Sequence, residues 1–191
     1  MGMKVMLAFL CALFLCLSTL PTHSAYYYTQ KLQDSSTKEK VTHLHFFLHD
    51  TLSGKDPSAV LVAQSNNTND HHKSATPFGS VYAIDDLLTE GPELSSNVIG
   101  NAQGLYASTD KDTLSIVMYI DFGFTSGKFN GSSFSVFSRN PVLDTGVREV
   151  AIVGGRKKFR MARGFAELKT QYFNGTNGDA IIEYDVTLFH H

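Results

Sequence analysis

The sequence predicts an all-β domain that closes on itself. Alternation with a period of two recurs along most of the chain, Gly/Asn/Ser turns separate the alternating stretches, and no segment keeps a helical period. The first strand lies in Thr42–Ser53, with Leu44, Phe46 and Leu48 on one face and His43, His45 and His49 on the other. Ala59–Gln64 is a short apolar run. Phe78–Asp85 sets Phe78, Ser80, Tyr82 and Ile84 against Gly79, Val81, Ala83 and Asp85. Val98–Ala107 carries Gly100 and Gly104, which suit bends or close backbone approach in a curved sheet. Thr113–Phe122 places Leu114, Ile116, Met118, Ile120 and Phe122 on one face. Ser133–Ser138 mixes serine with Phe134, Val136 and Phe137, and Val147–Val153 ends at Gly154-Gly155. Ala162–Tyr172 follows. In Ala180–Phe189, Ile182, Tyr184, Val186 and Leu188 oppose Glu183, Asp185 and Thr187. About eight strands leave edges to manage, so a closed barrel or a sandwich is the natural solution. An eight-stranded barrel encloses side chains or one small ligand.

The N-terminal residues are expected to lie outside this fold. One lysine, Lys4, precedes an apolar run from Val5 to Leu20, followed by Pro21, Ser24 and Ala25. This pattern predicts a secretory signal peptide over 1–25, cleaved between Ser24 and Tyr26. A polar arm over 26–40 and a β domain over 41–191 follow. About 166 residues then remain, enough for one domain with a substantial core. No later segment is apolar enough to cross a membrane as a helix, so no membrane association is expected after cleavage. Both cysteines, Cys11 and Cys16, fall in the leader, which excludes disulfides and thiolate chemistry from the mature domain. The formal net charge is −2, and losing the leader removes one more cation. No basic excess exists to attract nucleic acid. Sequons at Asn66, Asn130 and Asn174 lie in Gly- or Asn-rich stretches and predict glycosylated loops, in keeping with an extracellular location.

The candidate chemistry centres on Asp50, which continues the Leu44/Phe46/Leu48 face. A carboxyl group at the end of an apolar row loses hydration, which favours its protonated form and equips it to donate a proton. Alternatively, Asp50 begins a turn with Thr51, Ser53 and Gly54. His43 and His45 at i and i+2 could reach one metal ion, as in cupin-type barrels, or form a solvated or packing face. The remaining histidines of the domain, His71-His72 and His190-His191, lie in a loop and at the terminus. No metal and no cofactor is expected. No Gly-x-Ser-x-Gly elbow occurs, and Gly154-Gly155-Arg156-Lys157 lacks the Walker spacing. The 14 Phe and 8 Tyr residues, with no Trp, can form core or aromatic walls for planar rings.

Several stretches together resemble the plant dirigent proteins. They are Phe47-Leu48-His49-Asp50-Thr51-Leu52, Phe78-Gly79 with Asp85-Asp86, Asn101-Ala102-Gln103-Gly104-Leu105-Tyr106, Val147-Arg148-Glu149-Val150 with Val153-Gly154-Gly155, and Phe159-Arg160-Met161-Ala162-Arg163-Gly164. Gly178-Asp179-Ala180 with Glu183-Tyr184 completes the set, over about positions 42–190. The resemblance implies an eight-stranded antiparallel barrel of the calycin or allene-oxide-cyclase style. It also implies a homo-oligomer, a trimer or a dimer, secreted to the apoplast.

The function so implied is stereocontrol of phenoxy-radical coupling of phenylpropanoids such as coniferyl alcohol, giving optically active lignans. A separate oxidase, a laccase or peroxidase, supplies the radicals. The resemblance assigns Asp50 as the acid that activates a quinone methide or its precursor. Tyr106 is assigned to hydrogen-bond a phenolic oxygen, and Arg148 to stabilise a phenolate or orient the acid. The bland alternatives are a core tyrosine at Tyr106 and an Arg148 paired structurally with Asp121 or Asp144. The chain departs from the lignan-forming pattern. Ser138-Arg139-Asn140-Pro141 occupies a region where a Gly-Ala-Asp stretch is usual, with Asp144 the nearest acid. Arg156-Lys157 follows the Gly-Gly turn, and the usual cysteine pair is missing. These features are similar to the branch with pterocarpan-forming members, which dehydrate an isoflavanol and close a ring through a quinone methide. A passive carrier of small apolar phenolics is a third possibility.

Overall fold

The computed structural model describes Gly2 and residues 38–64 and 76–191. The signal peptide, most of the polar arm, Asn66 and His71-His72 lie outside the described residues. The domain is an antiparallel barrel. Its strands are β1 (Lys40–Asp50), β2 (Ala59–Ala63), β3 (Val81–Thr89), β4 (Val98–Ser108), β5 (Ile116–Phe124), β6 (Ser133–Asn140), β7 (Arg148–Arg156), β8 (Arg163–Phe173) and β9 (Ala180–His190). Two single-turn 3-10 helices, Gly127–Phe129 and Lys157–Phe159, interrupt the meander.

Eight strands form the closed ring. From β3 each strand pairs with the next, and β9 returns to β1 along eleven residue pairs, from Lys40↔His190 to Asp50↔Ala180. Closure is made where β1 meets β3 at Phe47↔Thr89, Leu48↔Leu88 and His49↔Leu87. The chain then turns and lays β2 against the other half of β3, from Ala59↔Ile84 to Ala63↔Val81. β1 and β2 therefore share one edge of β3, and the ninth strand lengthens the wall without widening the ring.

The alternation identified in the sequence sets the interior. Phe46 and Leu48 of β1, Met118, Ile120 and Phe122 of β5, and Tyr184, Val186 and Leu188 of β9 are all buried. Phe122 stacks on Phe134 with centroids 4.9 Å apart, and Phe46 stacks on Tyr184 at 5.4 Å. Phe124, Phe129 and Phe159 close the end of the barrel beside them. Gly104 lies so close to the β5 backbone that a Cβ there would overlap the Tyr119 carbonyl, and Gly100 stands likewise against Gly123. These two residues let β4 curve tightly around the ring. At the start of β1, Glu39 pairs with Arg163 of β8 at 2.7 Å, so the last residues of the expected arm already touch the barrel.

One face assignment differs from expectation. His43 and His45 point outward, whereas His49 is buried and bonded through Nε2 to Thr89 Oγ1 at 2.7 Å. At this end β1 is flanked by both β9 and β3, so its outward side chain is covered by a neighbouring strand. Burial also lowers the His49 pKa and keeps the imidazole neutral.

Candidate active site

One end of the barrel is packed with aromatic rings, and the other opens into a cavity of about 470 Å³. Its wall is mostly apolar, with Phe78, Leu114, Ile116 and Ile182 among the lining residues. Asp50, Tyr106 and Arg148 all line it. The three residues singled out in the sequence, from β1, β4 and β7, are thus brought together in one chamber. Strand polarity explains this. Each is at or near the strand end that meets the open rim, and each has the inward phase of its alternation.

Asp50 borders the cavity, but its Oδ1 is sealed and has no hydrogen-bond partner among the described residues. The Tyr106 side chain hydrogen-bonds the carboxyl group. Burial foremost, opposed by the Tyr106 bond and aided by the charge of Asp179, raises the Asp50 pKa to about 7. The carboxyl is held far above its ordinary 3.8, so it carries a transferable proton near neutrality. Tyr106 is 5% exposed and stacks on Tyr82 at 5.1 Å. Burial first, then the charges of Asp50 and Asp86, push its phenol upward, so it remains a neutral donor.

Arg148 is buried at 4% exposure, and none of its hydrogen bonds goes to a carboxylate. Nη1 donates to Asn140 Oδ1 at 3.1 Å and to the Val142 carbonyl at 3.3 Å, while Nη2 donates to Thr170 Oγ1 at 2.6 Å. Nε has no partner. Burial lowers its pKa, but a guanidinium keeps its charge throughout the ordinary pH range. Asp121, one suggested partner, is held instead by Arg156 at 2.7 Å and by Ser135 at 2.8 Å. Asp144 acts on Arg148 only through its charge. The cavity therefore contains a fixed cation held entirely by neutral acceptors, ready for an oxygen that gains negative charge.

A second buried acid was not singled out from the sequence. Asp86 is 1% exposed and lies one step past the His49↔Leu87 pair, across from Asp50. Ser58 Oγ donates to its Oδ1 at 2.6 Å, and its Oδ2 has no partner among the described residues. Burial, and then the neighbouring Asp50 charge, raise its pKa to about 8. It does not line the cavity, although it shares the inward phase of Tyr82 and Ile84 and feels the charge of Asp50. Carrying the Tyr82/Ile84 alternation two residues further would have found it. Asn140 and Thr170, which hold Arg148, were also missed as functional residues. On the rim, Asp179 Oδ1 accepts from the backbone amides of Leu52 and Ser53 at 2.9 and 3.0 Å and ties two loops together.

The acid pair has a testable stability signature. Both carboxyls titrate near 3.8 when unfolded and much higher when folded, so the folded state binds more protons in between. Their contribution is fully present below the unfolded value and is lost as pH rises through the folded values. His49, with its lowered pKa, acts in the opposite sense below its ordinary 6.5. Asp86→Asn is therefore expected to gain stability relative to wild type as pH rises from about 5 to 8, on the order of a few kcal/mol. Paired thermal melts across that range check the difference, and parallel curves count against it.

The chain and its fold have counterparts among known proteins. The dirigent-like protein family matches residues 41–189. Dirigent protein 15 of Arabidopsis thaliana is 50% identical over 194 residues, covering 99% of this chain and 100% of that protein. Pterocarpan synthase 1 of Glycyrrhiza echinata is 46% identical over 154 residues, covering 81% of this chain and 80% of that protein. The solved structure of the pterocarpan synthase dirigent protein GePTS1 superposes with a TM-score of 0.80 at 43% identity, covering 87% of this chain and 99% of that one.

Proposed function

This chain belongs to the dirigent-like protein family, and from that premise we propose that its cavity carries out a stereocontrolled dehydrative cyclisation of an isoflavanol-type phenol. The observation that carries this reading is a carboxyl kept protonated in an apolar cavity that also holds an arginine bonded, among the described residues, only to neutral acceptors. Asp50 gives its proton to the benzylic hydroxyl, the C–O bond breaks, and water leaves. The phenol gives its proton to solvent at the open rim as the electrons shift, forming a neutral quinone methide. A second hydroxyl of the same molecule attacks the exposed carbon, the phenolic oxygen takes a proton back from that solvent, and the proton of the attacking hydroxyl passes to the Asp50 carboxylate. The products are the closed ring and one water. Arg148 stabilises negative charge building on the phenolic oxygen, and Tyr106 orients Asp50. The apolar wall excludes solvent water from the reactive carbon and leaves one face open. Similarity to pterocarpan synthases, in sequence and in structure, supports this choice.

The full-length similarity to Dirigent protein 15 favours a second reading, in which the same cavity orients phenoxy radicals made by a laccase or peroxidase and so yields optically active lignans. Purified protein incubated with an isoflavanol and no oxidant decides between them. Turnover supports the cyclase. A changed enantiomer ratio in oxidase-driven coniferyl alcohol coupling, without isoflavanol turnover, supports the auxiliary. Neither result leaves the passive carrier.

We place the protein in the extracellular space as a homo-oligomer. The leader and the exposed Asn130 sequon support secretion. An apolar ladder on the outer wall supports assembly, with Leu105, Tyr119 and Phe137 in register on β4, β5 and β6 and 46%, 53% and 57% exposed. Phe137→Glu is expected to shift the protein to monomer with its fold intact, as read by light scattering and circular dichroism. An unchanged mass moves the interface elsewhere.

A further inference from the structure

The outward face of β1 meets that of β9 at a cluster unconnected with the cavity. Antiparallel pairing sets His45 opposite Asp185 and Phe47 opposite Glu183. One donor atom from each of His45, Glu183 and Asp185 lies within 4.8 Å of the other two. His45 Nε2 is 2.8 Å from Glu183 Oε1. We propose that these three residues bind one divalent transition-metal ion of the zinc class on the outer barrel wall.

One imidazole and two carboxylate oxygens are a fitting donor set for such an ion, with water in the fourth position. Tetrahedral bonds of about 2.1 Å require donor atoms roughly 3.4 Å apart, so small rotamer changes close the set. The surroundings already orient these donors. Gln171 Nε2 donates to the other Glu183 oxygen at 2.6 Å, and the edge-on contact of His45 with Phe47, 5.2 Å between centroids, fixes the imidazole plane. Such outer partners are what distinguish a built site from a chance cluster. Glu167, opposite Asp185 on β8, adds negative charge at the rim of a concavity of about 360 Å³ lined also by His43 and His45. The ion would cross-link the first and last strands of the barrel.

The test uses the mature chain without an affinity tag, titrated calorimetrically with zinc chloride and separately with magnesium chloride. One zinc per chain is expected, with little response to magnesium and a higher melting temperature with zinc present. His45→Gln and Asp185→Asn should each weaken zinc binding at least tenfold and remove the zinc-dependent shift. Both sites are on the surface, and unchanged metal-free melts confirm their fold. Absence of zinc binding by the wild type overturns the proposal. So does wild-type affinity in His45→Gln, which would place the metal on other histidines such as His190-His191. Equal affinity for magnesium would also refute a zinc-class site.

Discussion

Asp50→Asn is expected to reduce turnover by about 10²–10⁴-fold while the protein folds normally. The amide keeps the shape and a polar contact for Tyr106 but has no proton to transfer. Relief from desolvation sets the direction of the stability change. Wild type must ionise a sealed carboxyl as pH rises past about 7, and the variant has nothing to ionise. The variant should therefore melt at the same temperature as wild type or higher at pH 8. Product chirality, rate and a melt on one preparation check all of this. Wild-type turnover in a well-folded variant removes Asp50 from the mechanism and returns it to the role of a turn residue.

Arg148→Met is expected to lower turnover by about 10²–10³-fold through loss of the cation that meets the phenolic oxygen. It should also cost roughly 1–3 kcal/mol of stability, because Asn140 Oδ1, the Val142 carbonyl and Thr170 Oγ1 lose their shared donor. Arg148→Lys should restore little activity. One ammonium group cannot reproduce a planar fork that reaches β6, the following turn and β8 together. Steady-state rates and denaturant melts for the two variants check this, and full activity in Arg148→Lys would reduce the role to simple charge. If Arg148→Met kept wild-type turnover, the cavity would be working without its cation.

Much of the fold and part of the site could be read from the sequence because both rest on the two-residue period. Leu44, Phe46, Leu48 and Asp50 share an inward face in the sequence and in the barrel. What was missed depends on neighbours distant in the chain. His49 has the outward phase of β1, yet β3 covers it, and alternation within one strand carries no information about that cover. The sequence offers Arg148 the acids Asp121 and Asp144, but Asp121 is bonded to Arg156, while the neutral holders Asn140 and Thr170 come beside it through the register of β6, β7 and β8. Asp86 could have been read locally. Ending the inner row at Ile84 placed the outward Asp85 at the strand's limit and left its inward neighbour unassigned.

The seam between β1 and β9 has a consequence for how the molecule is made. β1, which carries Asp50, is the first strand of the domain to be synthesised, and its longest pairing is with the last. Hairpins from β3 to β9 can form between neighbours as the chain grows, but β1 waits with its apolar row in solvent until the final strand is complete. Contacts that span almost the whole domain are slow to form because a large loop must be closed first. The three pairs that join β1 to β3 are a slender hold in the meantime. The barrel is therefore expected to fold by a late closure, and Asp50 reaches its sealed position only at that step. A nascent or C-terminally truncated chain has neither the cavity nor its acid, so proton-transfer chemistry is confined to the finished molecule.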